Sequence, residues 1–296
     1  MSPLRIPLYA GALALTAAYA VGQLGVTVST DRKKYIRYEP INLGITLRNN
    51  SGHALDFGTT PDTGGYLRFQ IRHRRGEHQL KEVKGLNPVE NLVLPAGGTK
   101  SIDISISNFF QFHSPDDYVL VARIGHRRLK HDFESSPVKF QVSGGVNVWH
   151  REVGVPTQDL NETIPVRKCS INTFHSDAGD LYYLQIEDDE FVYAVVRLGP
   201  RVQGILPQCD IDAMSRIHVL IQTAPRMFRH NVFNLSGSLR QSAVYIIENN
   251  VPRLLRSPDV GRVMVSGGKK AVEGIDYNIR SVPVMPMRED LPAAEE

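Results

Sequence analysis

From Val26 onward, apolar and polar residues alternate at the period of two that half-buried strands require. Val26 and Val28 open the pattern. Ile41, Leu43, Ile45 and Leu47 then point one way and Asn42, Gly44, Thr46 and Arg48 the other, and Asn49, Asn50, Ser51 and Gly52 supply turn chemistry. Leu67, Phe69 and Ile71 predict a third strand. Ile102, Ile104 and Ile106, set against Ser101, Asp103, Ser105 and Ser107, make the clearest one-faced strand of the chain. Tyr118, Leu120, Ala122 and Ile124 follow, and Val138, Phe140 and Val142 close the set. Six or seven short strands within about 120 residues, separated by Gly, Pro, Asn and Asp clusters, predict an antiparallel β-sandwich over 21–144 with Greek-key connections.

The second half changes character. Strands are expected at Lys168–Phe174, Leu181–Ile186, Phe191–Leu198, Ile217–Gln222, Phe228–Leu235, Ala243–Ile247 and Arg262–Val265, most of them apolar on both faces. Val192, Ala194, Val196 and Leu198 oppose Phe191, Tyr193 and Val195, which predicts a strand inside a sheet covered on each side. Turns are expected at Glu187–Glu190, Ser236–Ser238 and Pro258–Gly261. The stretch YYLQIEDDEFVYAVVRL from Tyr182 to Leu198 recurs 37 positions on, laying Gln185 on Gln222, Phe191 on Phe228, Val195 on Val232, Val196 on Phe233 and Leu198 on Leu235. Each copy reads as a β-hairpin. Between the halves, 145–165 is polar and aperiodic, with Pro156 and Pro165, and is expected to be a linker ahead of a β-rich domain over 166–280. Ser281–Glu296, with three Pro and four acidic residues, is expected to be a disordered tail.

In its order of features the first half resembles the immunoglobulin-like domains of bacterial exported proteins. The resemblance rests on YIRYEPINLGITLRNN from Tyr35, a polar loop, and SPDDYVLVARI from Ser114, with Tyr118 behind Asp116 and Asp117 placed like the corner tyrosine of that fold. The usual Cys and Trp pairing is absent, and the pattern says little about function. In the second half, PRLLRSPDVGRVMVSGG from Pro252 is similar to the opening strands of a β-propeller blade, and each repeat copy to the middle of one. Blades run about 40 to 50 residues and a ring needs at least four. Roughly 115 residues allow two or three, so the expectation is either an open stack of blades or a second sandwich with a duplicated hairpin.

The ends of the chain and its cysteines bear on compartment. Arg5 precedes an apolar run from Ile6 to Ala20 that ends in Ala18-Tyr19-Ala20, which reads as a signal peptide over 1–20, cleaved on export to the periplasm or the outside. Uncleaved, it would be an N-terminal anchor, the one route to a membrane partner. In an oxidising compartment the two cysteines, Cys169 and Cys209, are expected to pair as a disulfide, with two buried thiols as the alternative. They form no zinc motif. Lys and Arg number 17 against 12 Asp and Glu from Leu24 to Ser143, and 16 against 19 from Gly144 to the end, so an anionic partner would meet the first half.

Candidate chemistry is sparse. The densest polar cluster is GHRRLKHD from Gly125, offering His126, Arg127, Arg128 and His131. A spacing of five puts the two histidines on opposite faces of a strand, so a solvated basic hairpin is the better reading than a metal site. Trp149, the only tryptophan, stands beside His150 and is expected at the domain interface, with ligand stacking as the alternative. Asp188, Asp189 and Glu190 read as a hydrated hairpin tip. No nucleophile elbow, P-loop, dinucleotide fingerprint or nucleic-acid motif is present. No metal, cofactor or nucleic-acid partner is expected. The expectation is an exported, non-catalytic binding or structural protein that recognises protein or glycan through His126, Arg127, Arg128, His131 or Trp149. The alternatives are an enzyme with its site on second-half loops and a protease inhibitor presenting the Phe57–Gly65 loop.

Overall fold

A computed structural model of the chain describes residues 23–58, 64–74, 80, 85, 87–155 and 165–278. The chain is all-β. The expected signal peptide, the disordered tail and most of the Phe57–Gly65 loop lie outside the described residues. Among the described residues no helix is long and apolar enough to cross a membrane.

The first half contains β1 (Leu24–Thr30), β2 (Lys34–Ile36), β3 (Asn42–Asn49), β4 (Leu55–Asp56), β5 (Gly65–His73), β6 (Val93–Leu94), β7 (Thr99–Ser105), β8 (Asp116–His126), β9 (Phe133–Glu134) and β10 (Val138–Ser143). One sheet runs β1-β3-β7 and is antiparallel throughout. The other runs β2-β10-β8-β5, with β9 against β8 and with β2 parallel to β10. Their facing sides form one core. Leu43, Ile45 and Leu47 enter it from the first sheet, and Leu67, Leu120, Ala122, Ile124 and Val142 from the second, each at 1% exposure or less. Tyr118 stacks on Phe140 at 5.6 Å, and its hydroxyl donates to the Ser114 carbonyl at 2.7 Å.

The second half begins where a linker was expected. Strand β11 (Val146–Gly154) pairs antiparallel with β12 (Val166–Ser176), followed by β13 (Gly179–Glu187) and β14 (Val192–Pro200) in a β11-β12-β13-β14 meander. The polar, aperiodic look of Val146–Gly154 has a physical cause: β11 is a sheet edge exposed to solvent, with Val146 70% exposed. A second meander contains β15 (Gln208–Ile211), β16 (Ile217–Ala224), β17 (Met227–Phe233) and β18 (Leu239–Ile246), with β21 (Lys269–Lys270) at its far edge. The hairpin of β19 (Arg253–Arg256) and β20 (Val263–Ser266) is tied to it, since Leu254 N–H donates to the Gln208 side chain at 2.9 Å.

The 37-residue repeat has a clear structural counterpart. Copy one is the β13–β14 hairpin and copy two the β16–β17 hairpin, and they face each other across a single core. Tyr182, Leu184 and Leu198 come from one side, and their repeat partners Val219, Ile221 and Leu235 from the other. The expectation that Phe191–Leu198 is a central strand needs correcting. β14 is an edge, and Phe191 is 61% exposed. The strand is apolar on both faces because Leu198 enters the core between the meanders while Val195 packs on the first half, beside Phe174, Leu181, Tyr183 and Ile36.

The expected disulfide is likewise overturned: Cys169 and Cys209 are free thiols. Both belong to the core between the two meanders, on strands of opposite sheets. Burial pushes the Cys169 thiol up to about 11, and burial together with neighbouring Cys169 raises Cys209 further above its ordinary value. The thiolate that exchange chemistry needs is therefore suppressed at both positions.

Candidate functional site

The outer face of the first meander carries its side chains in cross-strand rows. Phe174 and Leu181 pack under Ile36 of the first half. The next row is Asn147, Asn172, Tyr183 and Arg197; beyond it come His150, Ser170, Gln185 and Val195, and then Glu152, Lys168 and Glu187. A cleft of about 380 Å³ opens over these polar rows, closed on the first-half side by Arg37, Gly144 and Gly145.

Its floor is a directed chain of hydrogen bonds. Asn147 Nδ2 donates to Asn172 Oδ1 at 3.1 Å, and Asn172 Nδ2 donates to Ser170 Oγ at 3.1 Å. Ser170 and Asn172 are buried. Ser170 thereby accepts through its oxygen and keeps its hydroxyl proton for another partner. Gln185 Nε2 donates to Glu187 Oε2 at 2.5 Å, which orients its carbonyl oxygen. At the junction, Gly145 N–H donates to the Tyr183 hydroxyl at 3.0 Å. A Cβ at Gly145 would stand 2.2 Å from the Thr173 carbonyl oxygen and 2.7 Å from the Tyr183 ring, so only glycine lets the chain pass here.

The Arg37 wall comes from a turn in which Glu39 N–H donates to the Ile36 carbonyl at 2.9 Å. Tyr38 occupies its third position at φ 67°, a left-handed conformation that favours Gly or Asn. The Arg37 guanidinium lies 4.6 Å from the Tyr38 ring centre, and its Nε is buried without a hydrogen-bond partner. Glu39, just beyond, is fully engaged. It accepts from Arg32 Nη1 at 2.9 Å, from Ile36 N–H at 2.9 Å, and from Arg197 Nε and Nη2 at 2.6 and 2.8 Å.

The residues singled out from the sequence lie elsewhere. His126 is buried, its Nε2–H donating to the Asp56 carbonyl at 2.9 Å, its Nδ1 accepting from Arg128 N–H at 3.1 Å and its ring edge-on to Phe57. Those bonds hold the turn after β8. His131 is exposed in a shallow groove with Arg123, Lys130, Asp132 and Glu134, so the two histidines do not converge. Arg127 and Arg128 are exposed, and Arg128 Nη1 reaches the Ala54 carbonyl at 3.5 Å. Trp149 packs against the core between the meanders, with Arg151 6.0 Å from its ring. An irregularity between Asn147 and Trp149 lets both Asn147 and His150 face the cleft while Trp149 faces inward.

Sequence reasoning also missed a buried Asp-His-His chain. His218 Nε2–H donates to Asp212 Oδ2 at 3.2 Å, and its Nδ1 then accepts from His230 Nε2–H at 3.1 Å. Burial holds both imidazoles below their ordinary range, His230 down to about 4. Burial disfavours the Asp212 carboxylate, but Arg216, His218 and the Met214 N–H outweigh it and keep its pKa below the ordinary value. The three side chains lie at about 5% exposure and line neither described cleft. Among the described residues no group of three or more His, Cys, Asp or Glu could hold a metal ion.

No protein-family model matches the chain, and no curated protein does. One solved structure, Pseudomonas fluorescens alkylpurine DNA glycosylase AlkC bound to DNA containing an abasic site analog, is similar over 41% of this chain and 30% of that chain. The identity is 12% and the TM-score 0.27, a likeness too loose to bear on fold or function.

Proposed function

We propose that this chain is an exported, non-catalytic binding protein of the cell envelope or extracellular space, and that it recognises glycan or protein in the cleft at the junction of its halves. The observation that carries the reading is the lining of that cleft: amide and hydroxyl groups with donors to spare on its floor, and on its wall an arginine side chain that makes no hydrogen bond among the described residues. Such groups fix the orientation of a polar ligand, and here they stand on the strands of a rigid sheet. An immunoglobulin-like first half fits the two packed sheets and the Tyr118 to Ser114 corner bond. A second half of stacked blade-like meanders fits a four-stranded and a five-stranded unit sharing one core. Export rests on the N-terminal sequence alone.

The test is a binding screen of the full chain against oligosaccharide and peptide panels by thermal shift, repeated with Gln185→Ala and Arg37→Met. The reading expects a ligand whose shift disappears in both variants while their circular dichroism is unchanged. Binding that ignores both substitutions, or turnover abolished by Asp212→Asn, would sink it.

A further inference from the structure

We propose that the ligand of this cleft is an acidic glycan whose carboxylate seats on Arg37; the inference rests on the reading of the cleft as a binding site. Arg37 is half-buried on the cleft wall and makes no side-chain hydrogen bond or ion pair among the described residues. A half-buried guanidinium with no partner of its own keeps its Nη–H donors for an acceptor that arrives from outside.

Among the described residues no carboxylate pairs with Arg37. Both oxygens of Glu39 are engaged by Arg32, Arg197 and the Ile36 N–H. At the other end of the cleft Lys168 stands between Glu152 and Glu187 in register, and Glu187 also accepts from Gln185. The uncompensated positive charge thus belongs to the Arg37 end. With Nε turned into the protein, the two Nη groups of the guanidinium present the end-on planar fork that matches the two oxygens of a carboxylate.

The remaining lining favours a sugar over a peptide. Peptides that bind sheets add to an exposed edge through backbone hydrogen bonds. Here the polar groups are side chains on a sheet face: the Asn147 and Gln185 amides, the Ser170 hydroxyl and the His150 imidazole. They stand on neighbouring strands about 4.8 Å apart. Such a lattice of single donors and acceptors pairs with hydroxyls. Strain marks the same place, because Tyr38 keeps a left-handed backbone while its ring supports the Arg37 guanidinium.

The experiment follows the arginine Nε–H resonances and backbone amides of the full chain by NMR during titration with sodium glucuronate, methyl glucoside, sodium acetate and N-acetylglutamate. Expected is a saturable shift of the Arg37 Nε–H with glucuronate, at least about tenfold weaker with each of the other three. Arg37→Met should abolish it, and Arg37→Lys should weaken it. If methyl glucoside moves the cleft amides as strongly as glucuronate, the carboxylate inference fails while the cleft remains a binding site. Equal shifts from acetate or N-acetylglutamate overturn the glycan. Silence from all four probes overturns the inference, and the panel screen with Gln185→Ala then decides separately whether the cleft binds at all.

Discussion

Glu39 of the first half and Arg197 of the second form a two-pronged ion pair, with Nε and Nη2 at 2.6 and 2.8 Å from the two carboxylate oxygens and both side chains under one tenth exposed. Arg197 adds a bond to the Lys34 carbonyl at 3.3 Å and lies over the Phe174 ring. Replacing Glu39 with Gln strands the buried Arg197 at the junction and leaves Arg32 with Asp31 alone. Breaking a buried pair from one side is destabilising by about 3–5 kcal/mol. Urea unfolding of Glu39→Gln should therefore show a loss of that order, with the halves unfolding in separate steps. A wild-type midpoint would show that the pair does not hold the halves together.

The Asp212–His218–His230 chain sets an acid limb of stability. Both histidines are held below 6.5 in the folded protein, so the unfolded chain binds more protons as the pH falls. Their contribution is complete above about 6.5 and is lost progressively towards about 4. For His230 alone, held at about 4, it is on the order of 3 kcal/mol. Asp212 extends the loss to lower pH, because its carboxylate is held below its ordinary value. Melting temperatures measured from pH 7 to pH 4 should fall steeply in the wild type and less in His230→Leu. Parallel curves would contradict this assignment.

Free cysteines make a simple chemical prediction. Under non-reducing conditions the unfolded chain should yield two titratable thiols, and the native chain should react slowly at both, since Cys169 is buried in the apolar core, Cys209 packs half-buried against it, and both have a raised pKa. An unfolded, non-reduced chain without free thiols would show the pair to be bridged.

Two backbone positions separate stability from binding. Tyr38→Gly relieves a left-handed φ and should leave folding stability within about 1 kcal/mol of wild type, while weakening ligand binding through loss of the ring beneath Arg37. Gly145→Ala forces a Cβ onto the Thr173 carbonyl and the Tyr183 ring and should destabilise by about 1–3 kcal/mol. Denaturation curves and titrations on the same samples test both.

Alternation made the first half legible because its strands bury one face each: Leu43, Ile45 and Leu47 were readable as one set. The second half hid its edges, since β14 packs one face on the partner meander and the other on Ile36, and so looks like a central strand. The repeat was readable, but not that its copies face one another. The basic hairpin drew attention through density, yet His126 is fixed by Asp56 and Phe57, seventy positions upstream and out of reach of any local pattern. The cleft was invisible for the same reason. Arg37, Asn147, His150, Ser170 and Gln185 come from three strands and a turn, and each alone is an ordinary polar residue.

Chemical-shift mapping of the full chain against every oligosaccharide and peptide that binds in the screen tests the central claim most directly. The account predicts that the amides that move belong to Arg37, Asn147, His150, Ser170 and Gln185, with the turn from His126 to His131 silent. A ligand that moves that turn, or the β19–β20 hairpin, and leaves the cleft unmoved would contradict it.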